Sequence, residues 1–335
     1  MEGIVKGWII SIIAVAVILS ALLSISPSFS TTKESNEPRI KEILLIANEG
    51  VQRIVPDNNL YPEGLIYNTM TFNGTIPGPL ISVNQGDILK ITLRNEGKII
   101  HSLNLHAGFG PTQALSGVVQ PGESKTWTMK ADYPGVFLYH CDGDNLNGIW
   151  EHIATGMYGG IIVHSPQEKP AKEFFVFFSE VYTSFDSQPG IESQIGSFDF
   201  EKFIDNRPDL ILTNGMAFRY IPVIGTQAKV MLNSSAETFH VKTDELTRWY
   251  IFNAGPRNDL AFNFGAGMIP ADNSEKIIEE GEKDAYRYDE IRDIPPGSGT
   301  VIEMTFPEKG TYFGNDHDIG SLLKGAGFVV IVDDK

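Results

Sequence analysis

The chain has 335 residues, 42% of them hydrophobic, with 33 glycines and 19 prolines, which is enough polypeptide for two domains with separate cores. Its formal net charge of −16 at pH 7 excludes a nucleic-acid partner, because phosphate binding needs clustered Lys and Arg and none occurs. A single cysteine, Cys141, excludes an intrachain disulfide and leaves three roles: buried thiol, nucleophile or metal ligand.

The first predicted element is an export segment. "GWIISIIAVAVILSALLSI" follows Lys6 as an uncharged apolar run of about membrane-spanning length, so residues 1–30 read as a signal peptide or membrane anchor. Residues 31–42 form a polar tether, and the expected location is extracytoplasmic, either secreted or anchored to the outer face of the cell membrane. From residue 43, short β-branched and aromatic runs such as "LISVNQGDILKITLRNEG" and "SKTWTMKADYPGVFLYHC" alternate with turn residues, an all-β pattern. "PGESKTWTMKADYPGVFLYHC" and "PPGSGTVIEMTFPEKGTYFGND" match as repeats, which predicts two tandem sandwiches over residues 43–165 and 166–335. The boundary falls at "HSPQEKPAKE". Gly190 to Pro208 reads as a linker or inserted loop, and the acidic stretch 274–293 as the place for a short helix.

Chemistry concentrates in "YHCDGDNLNGIWEHIATGM" and, upstream, in "HSLNLH". Neighbouring residues of a strand point to opposite faces, so His140 and Cys141 face opposite ways. His101 and His106, five apart, do the same if their segment is extended. One face can therefore gather His101, Cys141, His152 and Met157. The other gathers His106 and His140 and lacks a third ligand. Two imidazoles, a thiolate and a weak thioether are the donor set of a blue-copper electron-transfer site.

"MTFNGTIPGPLISVNQGD", "HSLNLHAGFG", "VQPGESKTWTMKADYPGVFLYHC" and "HIATGMYGGIIV" resemble the copper-containing nitrite reductases, within the two-domain multicopper oxidases, in order, spacing and ligands over roughly Tyr61 to His164. "PDLILTNGMAFRY", "RWYIFNAGP" and "NDHDIGSLLKGAGFVVIV" are similar more loosely over roughly Pro208 to Val332. The resemblance implies two cupredoxin-like Greek-key sandwiches with two copper cofactors. Type 1 copper would be held by His101, Cys141, His152 and Met157. Type 2 copper would be held by His106, His140 and His317, the last supplied by the next subunit of a homotrimer. It also implies a small redox donor protein, and nitrite or another small oxidant as substrate. The electron would enter at type 1 copper and pass through Cys141 and His140.

The chain departs from that family at two points. Asn104 stands where the family has a proton-handling aspartate, and it cannot titrate. A histidine of the second domain is missing from "NDLAFNFGAGMIP", where Asn263 and Gly267 are the candidates for its position. Asp142 and Asp144, after the cysteine, and Asp316 and Asp318, flanking His317, are the acids that could substitute, although each reads first as a solvated turn residue. The alternative function is a non-catalytic cupredoxin that carries electrons or binds copper, which needs only the first site. A laccase-like oxidase would need His-x-His pairs and a His-Cys-His element, and the chain has neither.

Overall fold

A computed structural model describes residues 38–58, 61, 63–184, 195–221, 223–226, 229–232, 236–265, 269–270 and 288–335. The expected export segment and most of the tether lie outside these residues, as do Gly267 and most of the acidic stretch.

The first sandwich is built from β1 (Ile40–Val55), β2 (Leu65–Phe72), β3 (Ile81–Asn84), β4 (Ile88–Asn95), β5 (His101–Leu105), β6 (Ser116–Val119), β7 (Ser124–Lys130), β8 (Gly135–His140) and β11 (Tyr158–His164). A small hairpin of β9 (Gly143–Asp144) and β10 (Asn147–Gly148) interrupts the run. One sheet orders β2-β1-β4-β7, and the facing sheet orders β3-β11-β8-β5-β6. β4 buries every second residue, as a strand with one face on a core must. Leu45, Ile91, Leu93, Leu103, Trp127, Tyr139 and Ile161 fill the space between the sheets, and Cys141 and Met157 sit in the same cluster.

The second sandwich pairs a sheet of Leu210–Thr213, Lys172–Val181, Thr247–Gly255 and Ser298–Met304 with one of Thr238–Lys242, Phe328–Asp333, Gly310–Asp316, Leu260–Asn263 and Arg292–Ile294. Trp249 is fully buried at its centre, stacked on Phe174 at 4.1 Å between ring centroids. A further cluster joins the sandwiches: Leu138, Tyr158 and Ile162 from the first meet Phe177, Tyr250 and Phe252 from the second. That contact explains why β11 is apolar along both faces instead of alternating.

Three expectations change. β1 begins at Ile40 and pairs in parallel with β4 from Ile40↔Ile88, so the last residues of the expected tether belong to a strand. Within Gly190 to Pro208, Ile195–Gly196 adds to β2 as a parallel edge strand. It is followed by the helix Phe200–Ile204, N-capped by the Asp199 side chain accepting from the Lys202 N–H at 2.9 Å. The described end of the acidic stretch is strand, not helix. Arg292 and Ile294 point inward and Asp293 outward, a period of two that a helix cannot use.

Candidate metal centre

β5 and β8 bring the first group of residues together. His101 opens β5, and Cys141 follows the last residue of β8, where its N–H donates to the Met157 carbonyl at 3.1 Å and extends the pairing with β11. The hairpin β9–β10 then reverses the chain through Asn145 and Leu146, both at positive φ, into the helix Ile149–Ala154, which carries His152. The Met157 N–H donates to the His152 carbonyl at 2.9 Å, tying the thioether residue to the helix end. Cys141 Sγ lies 3.2 Å from His152 Nδ1 and 3.9 Å from His101 Nδ1. All three side chains are buried, with ligating atoms within 4.8 Å of one another. Met157 is fully buried in the same core.

The sulfur is held as an acceptor. The backbone N–H groups of Ser102 and Gly143 point at Sγ from 3.1 and 3.4 Å, and the Ser102 hydroxyl stands 3.4 Å away. Burial nevertheless pushes the Cys141 thiol up to about 11, so without a metal it keeps its proton at neutral pH. Burial pulls His152 down to about 4, helped by the charge of His101, and burial also lowers His101. Both rings are thus neutral and ready to ligate. His101 Nε2 lies 3.0 Å from Glu49 Oε1, and the Glu49 carboxylate accepts the N–H groups of Lys98 and Ile99. Burial would raise Glu49, but these hydrogen bonds outweigh it and hold the carboxyl below its ordinary value. A carboxylate can only accept, so His101 carries its proton on Nε2 and presents a bare Nδ1 to the sulfur.

A second pair faces the other way. His106 Nε2 and His140 Nε2 stand 2.9 Å apart at the edge of a cavity of about 250 Å³, whose other walls include Leu138, Ile153 and Tyr158 and, from the second sandwich, Ala254, Pro256, Pro296 and Gly297. His140 Nδ1 meets only oxygens, the Cys141 carbonyl at 3.4 Å and Asp142 Oδ1 at 3.1 Å, so the proton of the neutral ring belongs there. His106 bonds the Gly297 backbone in a way that favours a protonated ring, although burial and the charge of His140 lower it overall. Its other nitrogen is the one free to donate to Gly297. The two Nε2 atoms face each other at 2.9 Å, a spacing that two ligands of one cation can also take. Two nitrogens at ~2.0 Å from one ion stand roughly 2.8–3.3 Å apart at angles of about 90–110°. The residues fit a metal.

The remaining expected residues are spread out. His317 is exposed after the strand Gly310–Asp316, its N–H on the Ala261 carbonyl at 2.8 Å, and it does not line the His106 and His140 cavity. Asn104 donates to Asp142 Oδ2 at 2.9 Å. Asn263 is buried opposite Asn315, its side-chain Oδ1 accepting the Gly265 N–H at 3.3 Å, and it does not line that cavity. Asp144 is exposed, and Asp318 caps the helix Ile319–Leu323. Asp142 and Asp316 are not solvated turn residues. Asp316 is buried, accepts from Ser321 Oγ at 2.7 Å and from the Ala261 and Asp318 N–H groups, and is raised chiefly by burial. Glu49, the carboxylate against His101, was missed by sequence reasoning. Glu49 lies 52 residues from His101, and no local pattern signals it. Asp142 was in view beside His140 and Cys141 but read as a solvated turn residue, because sequence does not show that the strand end buries it.

Two tandem β-sandwiches with a buried His-Cys-His cluster at the end of one sheet define the cupredoxin fold, with a donor set that suits copper. Residues 55–168 match the family described as Multicopper oxidase. The chain is 28% identical over 262 residues, 77% of its own length and 62% of the relative's, to the copper-containing nitrite reductase of Neisseria meningitidis serogroup A. It is 37% identical over 139 residues to that of Rhizobium sullae, covering 40% of this chain and 34% of the relative. The chain thus spans about three fifths of the length of the Neisseria relative. Among solved structures, a copper nitrite reductase from Nitrosomonas europaea superposes with a TM-score of 0.70 at 27% identity, over 88% of this chain and 94% of that one. A solved multicopper oxidase, at 21% identity and a TM-score of 0.64 over 88% and 89% of the two chains, shares the fold alone. The resemblance to copper-containing nitrite reductases and multicopper oxidases holds, and copper is the cofactor these relatives imply.

Proposed function

We propose that the chain is a copper-dependent oxidoreductase that reduces nitrite to nitric oxide. The reaction consumes one electron and two protons and releases water. The observation that carries this reading is the back-to-back placement of two ligand groups on consecutive residues. Cys141 faces His101 and His152, and His140 faces His106. An electron delivered at the sulfur cluster by a small donor protein has a covalent route of one backbone step from Cys141 to His140. Copper bound at the histidine pair would supply a Lewis acid that polarises an N–O bond and an ion that changes charge by one. His106 and His140 hold two nitrogens toward the cavity. Leu138, Ile149, Ile153 and Tyr158 give the cavity a largely apolar wall beside them.

A catalytic metal takes about three protein ligands and an open position, so this site needs one more. In our reading the neighbouring subunit of a homotrimer supplies it as His317, whose exposure leaves it available. The sulfur group, His101, Cys141, His152 and Met157, is the type 1 site. The experiment is His317→Ala. It should lose the second copper and nitrite turnover while keeping the visible absorption of the Cys141 site. A variant with unchanged metal content and turnover would remove His317 from the mechanism.

An electron carrier is the second reading, favoured by Asn104 and Asn263, which supply no titrating group where the family is expected to have them. It predicts a single copper per chain and no turnover.

A further inference from the structure

Asn104 sits in a row of side chains across three strands. It pairs with His140 of β8 on one side and with Ser116 of β6 on the other, and residues directly opposite in antiparallel pairs project from the same face. Asp142, two residues beyond His140, folds back over that row. Its Oδ2 accepts from Asn104 Nδ2 at 2.9 Å and from Ser116 Oγ at 3.0 Å, while its own N–H donates to Ser102 Oγ at 2.6 Å. Its Oδ1 is buried, with no well-aligned hydrogen bond, and it lies 3.1 Å from His140 Nδ1. The side chain is 6% exposed, so water does not replace that contact.

We propose that Asp142 is the positioning carboxylate of the second metal site, and that Asn104 is there as the donor that orients it. The inference rests on the reading of His106 and His140 as metal ligands. An aspartate at position 104 would set a second carboxylate against Asp142, whereas an amide gives it a hydrogen bond. Two donors clamp Oδ2, and this aims Oδ1 at the His140 ring. The ring then keeps its proton on Nδ1 and turns a bare Nε2 toward His106. A carboxylate on the far nitrogen also makes the imidazole a stronger ligand, and removing such a partner typically weakens metal binding about 10- to 100-fold. Asn104 is therefore accompanied by a carboxylate, Asp142, set against the far nitrogen of His140 from the strand end.

Two measurements test this. In the copper-free protein, nitrogen-15 spectra of labelled histidine report which ring nitrogen of His140 carries the proton. Wild type should show a single Nδ1–H form, and Asp142→Ala a mixture. In titrations with copper alone, Asp142→Ala should weaken binding at the histidine pair about 10- to 100-fold while the absorption of the Cys141 site is kept, and Asp142→Asn should fall between the two. If Asp142→Ala folds poorly, Asn104→Leu, which removes only the donor to Oδ2, should give a weaker form of the same two changes. An unchanged tautomer in these variants, or equal loss of both coppers, overturns the proposal. The tautomer readout needs no metal, so it decides the role of Asp142 even if wild type binds a single copper and the enzyme reading fails.

Discussion

Glu49 lies against His101 and Met157 is buried in the core that holds Cys141, and each is expected to act on the sulfur site. Glu49 places a carboxylate 3.0 Å from the back of His101. Glu49→Gln keeps an oxygen acceptor but removes the negative charge, and a less negative surrounding disfavours the oxidised ion. The reduction potential should rise with the visible band retained; a potential unchanged in spectroelectrochemical titration would mean that Glu49 only anchors the loop at Lys98. Met157→Leu should also leave a coloured site with a raised potential, because a weak axial donor to the oxidised ion is lost. An unchanged potential would mark Met157 as core packing. The grouping of His101, Cys141 and His152 was legible from side-chain chemistry and strand alternation. Glu49 was not, since a contact between β1 and β5 is a product of sheet packing that no spacing encodes.

The hairpin β9–β10 is the element that sets the distance between Cys141 and the helix carrying His152. Its two turn residues, Asn145 and Leu146, have φ of 51° and 76°. Asparagine tolerates that region, but a bulky residue there costs roughly 1–2 kcal/mol. Leu146 is exposed, so nothing packs in return. Leu146→Gly should stabilise the protein by about 0.5–1 kcal/mol, after allowing for the extra backbone freedom of glycine when unfolded, and leave the absorption unchanged. A lower thermal midpoint would contradict this. Gly143 closes the other end of the hairpin at φ 67°, where a Cβ would meet the Asn147 carbonyl. The sequence shows this hairpin only faintly, because Asn-Leu is not a common pair for such a turn. The strands of both sandwiches were legible from short β-branched and aromatic runs set between turn residues, and the last part of the acidic stretch was misread because its charges hide the inward Arg292.

At the scale of the molecule, ionisation of His152 and Cys141 couples their cluster to stability. His152, lowered to about 4, stays neutral in the folded apoprotein while the unfolded chain takes up a proton below about 6.5. Stability from this group is therefore present above about pH 6.5 and lost as pH falls through about 4, by on the order of 3 kcal/mol. Cys141 acts at the other end. With its thiol raised to about 11, the apoprotein keeps a proton that the unfolded chain releases near 9, so stability falls as pH rises from about 9 toward 11. Chemical denaturation of the metal-free protein across pH should show both flanks, and a flat profile from pH 4 to 7 would contradict the burial of His152. The wall that Pro256, Pro296 and Gly297 build against His106 belongs to this scale, and only the folded chain reveals it. The measurement that tests the central claim most directly is copper counting by mass spectrometry on the purified protein, joined to electron paramagnetic resonance. Two coppers per chain with two distinct signals, one of which disappears in His317→Ala, is the predicted result; one copper per chain with a single type 1 signal would contradict it.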